Sequence, residues 1–258
     1  MELAAAVARA VDKGIDIVLA AQTITNTGMA GIAEPYSELA AASRGTIGLV
    51  GVRPDSDGVL RNYIPYALDK DGGFIYGLSL VAVAKFSNFE LPQTPLPNGD
   101  IPLTDGLLIK VEDGQFPLNF RGGPGTHLTL TAGDLLRGDR DFTSDLRGKM
   151  VFVGVTDPSV EDLLPSPFSG TDRMAGVEFH ATAADTLLNG SFLRIAPGYQ
   201  VVLILGLFGI CAIVLGRFVR PLLGIAGAAA GESTALKRYR SPYVSIMGLG
   251  AGSAPCPP

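Results

Sequence analysis

The chain has 258 residues, of which 47% are apolar and only 17% charged, and its mean hydropathy is +0.31. An ordinary soluble domain is about 25% charged, so this composition excludes intrinsic disorder and points to a bilayer segment. Two cysteines, Cys211 and Cys256, exclude a disulfide scaffold and a cysteine-rich zinc site. The net charge of −5 is uneven: 15 basic and 24 acidic residues precede Pro197, and five basic and one acidic follow it. The acidic part has no electrostatic footprint for nucleic acid.

In chain order, an amphipathic helix opens the sequence with Leu3, Val7 and Val11 on one face, and Lys13-Gly14 stops it. Ile15–Ala20 (IDIVLA) reads as a strand, Pro35–Ser43 as a short helix, and Thr46–Val52 (TIGLVGV) as a strand covered on both faces. A turn at Pro54–Gly58 leads into Val59–Leu68, whose alternation puts Leu60, Ile64, Tyr66 and Leu68 on one face. Pro65 removes a ladder donor there and places the strand near an edge. Gly77–Phe86 is an apolar helix and Leu91–Pro102 a proline-rich loop. Leu107–Val111 and Gln115–Phe120 flank Glu112-Asp113-Gly114 as a hairpin, and Leu130–Leu136 is a short helix. Met150–Val155 (MVFVGV) is the clearest buried strand, and Ala175–Leu188 is a helix with Phe179, Ala183 and Leu187 at four-residue spacing. Helices alternating with apolar strands predict an α/β fold: a layered, mixed and mostly parallel sheet flanked by helices.

From Ala196 to Gly216 there is no charge, and about 20 such residues span a hydrocarbon core. Tyr199 stands at one end, and Arg217 and Arg220 stand at the other. The basic residues beyond this run place Met1–Ala196 outside the cytoplasm. Residues 1–195 are thus expected to be an extracytoplasmic domain and 196–220 a transmembrane helix. Residues 221–258 are expected to form a basic cytoplasmic tail, disordered or truncated. Met1-Glu2 opens directly into a helix with no leader, so the domain is expected to be incomplete at its N-terminus.

No catalytic motif is visible. The two histidines, His127 and His180, have no ligand spacing, and there is no nucleophile elbow, Walker loop or dinucleotide fingerprint. No catalytic residue, metal centre or cofactor is expected. Arg121–Gly125 (RGGPG) is read as a tight turn rather than an anion cradle, because Pro124 withholds a donor and no helix begins there. Asp55, Asp57 and Arg61 are read as a turn with a solvated arginine. Ligands of open α/β sheets bind outside the carboxyl ends of strands. In a parallel sheet that rule gathers Asp157, Asp162, Glu178 and His180 at one rim, joined by Asp55 and Asp57. This rim is the expected place for a small ligand or ion. The bland alternative is that each of these groups caps a helix or bonds to a loop, with His180 a satisfied, partly buried histidine pointing toward the sheet.

PDSDGVLRNYIPYAL (Pro54–Leu68), FPLNFRGGPGTH (Phe116–His127), DLLRGD (Asp134–Asp139), LRGKMVFVGVTDPSVEDLLPSPF (Leu146–Phe168) and MAGVEFHATAADTLLNGSFLR (Met174–Arg194) together resemble the second class of CHASE domains (Cyclases/Histidine kinases Associated Sensory Extracellular). The resemblance implies an extracytoplasmic, periplasmic sensory domain of a bacterial receptor in the inner membrane. It also implies a membrane helix before the domain, further helices after it, then a cyclase or kinase effector, with homodimerisation of the full-length receptor. It supplies no ligand-binding residues. The rival reading is a membrane-anchored periplasmic enzyme working through an Asp/His site.

Overall fold

The structure is a computed structural model and describes residues 2–26, 29–33, 37–68, 73–103, 106–157, 159, 162–168, 170, 172–194 and 197–217. Pro35, Ala196 and the tail from 218 onward, on which expectations above fall, lie outside the described residues. The chain divides into two units, Met1–Arg194 and Ile195–Pro258.

The first unit opens with α1 (Glu2–Asp12), which buries Val7 and leaves Leu3 exposed. It stops at Gly14, whose φ of +81° is the left-handed turn a glycine accepts without strain. β1 (Leu19–Asn26) starts four residues later than the apolar pattern suggests. It pairs antiparallel with β2 (Met29–Ala33); α2 (Ser37–Ala42) follows, and β3 (Ile47–Leu49) then pairs parallel with β1, Leu19 opposite Ile47. The expected long strand 59–68 is broken at Pro65 into β4 (Asn62–Tyr63) and β5 (Tyr66–Leu68). With the break, the expected shared face is lost: Tyr63 is fully buried and Leu68 is 59% exposed.

β6 (Phe74–Tyr76) pairs with β5 and runs into α3 (Leu78–Phe86). The 112–114 turn forms, with φ of +51° at Asp113 and +77° at Gly114, but only one bridge, Glu112 to Gln115, closes it. The strands beside it pair elsewhere. β7 (Ile101–Pro102) takes β8 (Leu108–Ile109), and β9 (Phe116–Pro117) takes β4. α4 (Ala132–Arg137) and α5 (Thr143–Leu146) lead to β10 (Leu163–Leu164), antiparallel to β11 (Met174–Ala175), which enters α6 (Gly176–Leu188).

The mostly parallel sheet expected from the sequence is not formed. Among the described residues the sheets are small, and the β1–β3 ladder is the parallel one among six strand pairings. Prolines 65, 102 and 117 sit in or beside the short ladders, where each withholds a donor and ends pairing early. Met150–Val155 is not a strand, because no described strand meets either of its edges. Its even-numbered side chains still turn inward, with Met150 and Phe152 packed against the core.

Cohesion comes instead from one hydrophobic core, in which Leu60, Tyr63, Leu80, Ile101, Ile109, Phe116 and Phe179 are at most 1% exposed. Tyr63 sits among rings, edge-on to Phe116 at 5.6 Å and tilted against Phe179 at 6.3 Å. The second unit is described as one helix, α7 (Gly198–Arg217), of 20 residues and mean hydropathy 2.4. At 1.5 Å per residue it is about 30 Å long, enough to cross a hydrocarbon core.

Gly77 precedes α3 where there is no room for a side chain. A Cβ there would lie 2.8 Å from the Ile64 carbonyl oxygen and strike the Tyr63 hydroxyl. Backbone φ at Gly77 is −65°, so alanine would suffer from the collision alone. Gly77→Ala is expected to lower the unfolding free energy by about 1–3 kcal/mol, read from denaturant midpoints. An unchanged midpoint would show that the Tyr63 ring yields freely.

Candidate functional site

α6 buries three of its faces. Phe179, Ala183 and Leu187 enter the core, as their four-residue spacing predicts. His180 and Ala184 are 6% and 3% exposed, and His180 meets α3. Glu178, Thr182 and Thr186 form a third, polar stripe at the same spacing.

The histidine face carries a buried polar link. Ser79 of α3 is fully buried; its hydroxyl donates to the His180 carbonyl oxygen at 2.9 Å and lies 3.2 Å from His180 Nδ1. With its own hydrogen directed at the carbonyl, Oγ accepts a hydrogen bond from Nδ1–H, which makes Nδ1 the protonated nitrogen of a neutral ring. The Ser79 N–H donates to the Tyr63 hydroxyl at 2.9 Å. Gly77 gives α3 no side-chain cap, so Tyr63 satisfies from a distance one of the helix's orphan donors. The Tyr63 and His180 rings meet edge-on at 6.1 Å. Burial pushes the Tyr63 phenol up to about 12 and His180 down to about 4 from its ordinary 6.5. The expectation that His180 is a satisfied histidine describes this ring, but its partner is a serine on a neighbouring helix and not the sheet.

The polar stripe holds the segment 119–127. Thr186 Oγ1 accepts from the Asn119 N–H at 3.2 Å, and Arg121 pairs with Asp185. His127 Nε2 lies 3.2 Å from Thr182 Oγ1. Glu178 Oε1 accepts from the N–H groups of Gly125 at 2.8 Å and Thr126 at 2.9 Å. RGGPG is the tight turn expected of it, and the N–H of its last residue, together with that of Thr126 just beyond it, is taken by the chain's own Glu178 carboxylate. A local motif search misses this, because the donor loop and the acid are 52 or 53 residues apart. The recognisable signal is the acid–hydroxyl–hydroxyl spacing on α6.

The remaining rim residues have separate partners. Asp162 lies against the start of α6: its carbonyl accepts from the Gly176 N–H at 2.9 Å, and a Cβ on Gly176 would collide with its carboxylate. Its carboxyl is held above the ordinary value by partial desolvation. Asp157 accepts from the Ser159 N–H at 2.8 Å, and its pKa is lowered by hydrogen bonding to Ser159. Asp55 and Asp57 both bind Arg61 at 2.7 Å, which makes that arginine paired rather than solvated. The Arg61 hydrogen bonds lower Asp57 to about 2. Among the described residues no group of three or more His, Cys, Asp or Glu is placed to hold a metal ion. A cavity of about 300 Å³ is lined by Gly45, Ile47, Phe74, Ile75, Tyr76 and Val81, and none of the rim residues borders it.

The family model described as the CHASE2 domain matches residues 1–215, which takes in both the first unit and nearly all of α7. No curated protein and no solved structure matches the chain.

The buried link generates a pH dependence. His180 titrates near 4 in the fold and near 6.5 when exposed, so the unfolded chain binds the extra proton first. Its contribution is complete above pH 6.5 and is lost as pH falls from 6.5 through 4. The loss should reach about 3 kcal/mol. Denaturant titrations between pH 4 and 7 should show this loss in the native chain and a flatter profile in His180→Asn. Equal slopes for the two would remove His180 from the acid response.

Proposed function

The chain belongs to the CHASE2 domain family, a family of sensory domains found in signalling receptors, and on that premise we propose that residues 1–194 are the sensing module of a bacterial transmembrane receptor. The module lies in the periplasm, α7 crosses the inner membrane, and the basic tail faces the cytoplasm, where a cyclase or kinase effector receives the signal. The observation that carries this reading is the match itself, which runs through the globular unit and into an apolar helix of membrane-spanning length. Orientation rests on the five basic residues beyond Gly216, against Arg194 as the near one before the run. A stimulus acts by binding one arrangement of the module better than another, and the chain beyond α6 carries the change toward α7.

The module is proposed to be non-catalytic. His180, the side chain an Asp/His enzyme would need, is only 6% exposed and engaged by Ser79, which leaves a substrate no approach to its ring. The proposed place for a small ligand stays the start of α6, where Asp162 lies against Gly176 and Glu178 stands in the first turn.

Alkaline phosphatase fused behind Arg220 in the native gene is expected to be inactive, and a green fluorescent protein at the same point to fluoresce. Active phosphatase there would reverse the topology. Turnover of esters, phosphates or nucleotides that is abolished by Asp162→Ala would replace the sensor with the enzyme.

A further inference from the structure

The cavity of about 300 Å³ lies between β3 and β6. These strands meet in one parallel bridge, Leu49 to Gly77, where the missing side chain of Gly48 lets the Leu78 backbone come close. Continued backwards, that register sets Ile47 opposite Ile75. Among the described residues, however, no bridge or hydrogen bond joins Ile47 to Phe74, Ile75 or Tyr76. Ile47 and Ile75 line the cavity instead, with Gly45, Phe74, Tyr76 and Val81.

The backbone groups that face this gap follow from alternation along each strand. On β3 the Thr46 carbonyl and the Val50 N–H bond to β1, so the N–H and C=O of Ile47 point the other way, toward β6. On β6 the Gly77 N–H bonds to Pro65 on the β5 side, so the Tyr76 N–H and the Phe74 C=O point toward β3. Two donors and two acceptors thus face the cavity with no ladder between them. Its aromatic wall is held in place. The Tyr76 hydroxyl donates to the Pro92 carbonyl oxygen at 2.7 Å, and the Tyr66 ring stands edge-on to Phe74 and Tyr76. No lining residue carries a charge, so a charged ligand would give up its hydration for nothing in return.

We propose that this cavity binds a small uncharged amide, an amino-acid residue capped at both ends as in a short neutral peptide, laid between β3 and β6 as a one-residue antiparallel strand. The N–H and C=O of that residue pair with Ile47. Its acyl carbonyl accepts from the Tyr76 N–H, and its terminal amide donates to the Phe74 C=O. Because β3 and β6 run the same way, one antiparallel insert satisfies both edges. An aliphatic side chain suits Ile47, Ile75 and Val81. The site is separate from the start of α6, and binding there does not rest on the sensory reading.

The test follows hydrogen exchange of the full chain in lipid nanodiscs, with N-acetyl-leucinamide as the probe. The Ile47 and Tyr76 amides are expected to exchange freely without it and to slow severalfold with it, at a dissociation constant of about 1 mM for so small a ligand. N-acetyl-leucine, of the same size but with a carboxylate, should bind about tenfold more weakly. Val81→Phe fills the cavity and should abolish the slowing. Val81→Ala should keep it and shift the preference toward N-acetyl-phenylalaninamide, a change that misfolding would not imitate. No slowing with the probe overturns the proposal. Slow exchange of both amides without the probe overturns it too, because β3 and β6 would then be closed on each other. Equal binding of amide and acid, or binding that survives Val81→Phe unchanged, would place the probe elsewhere and would also overturn it.

Discussion

Ser79 stands where three elements meet, and the arrangement of the first unit depends on satisfying it. The residue is fully buried, so its amide and hydroxyl each need a partner inside the protein. The amide finds the Tyr63 hydroxyl on β4, and the hydroxyl finds the His180 carbonyl on α6. Each bond is worth about 1 kcal/mol net, but leaving either group unpaired would cost about 1–3 kcal/mol. This asymmetry fixes how α3 and α6 lie against each other more firmly than hydrophobic contact does, since apolar surfaces can slide and hydrogen bonds cannot. Gly77 is forced by the same link, because the Tyr63 hydroxyl occupies the space of its missing side chain.

The sheets do not supply comparable rigidity. Ladders of two or three residues, such as β4–β9, β5–β6 and β7–β8, contribute few cooperative bonds, and the Leu60 N–H, ahead of β4, bonds to the Pro165 carbonyl instead. α6 takes over the organising part. It carries the core on one face, the buried link on the second and the 119–127 loop on the third. A module assembled on one helix can transmit a rearrangement along the chain as a movement of that helix. A continuous sheet would resist such a movement.

The helices other than the one-turn α5 were legible in the sequence because their information is local. The spacing of Phe179, Ala183 and Leu187 located α6 to within a residue, and apolar continuity located α3 and α7. The pairing of strands was not legible. MVFVGV reads as a buried strand, yet its valines at 151, 153 and 155 are exposed, because an apolar run carries nothing about which strand lies alongside. Pro65 was noticed as a missing donor, but its consequence, two strands with different partners, depends on the distant Phe116 and Phe74. The site was legible in composition only. Glu178 and His180 were singled out, but their partners, a glycine-rich loop and a serine, lie 52 and 101 residues away. Tyr63 and Asp162, which supply the starts of α3 and α6, were missed as caps for the same reason.

The central claim is that the link through Ser79 opens only when the whole unit opens. Native-state hydrogen exchange reads this at one amide, the Ser79 N–H held by Tyr63. Its opening free energy is predicted to equal that of the most protected amides in α6 and to fall with them as denaturant is added. Exchange of the Ser79 amide at a distinctly lower opening free energy, while the amides of α6 stay protected, would show that α3 detaches on its own and would contradict the account.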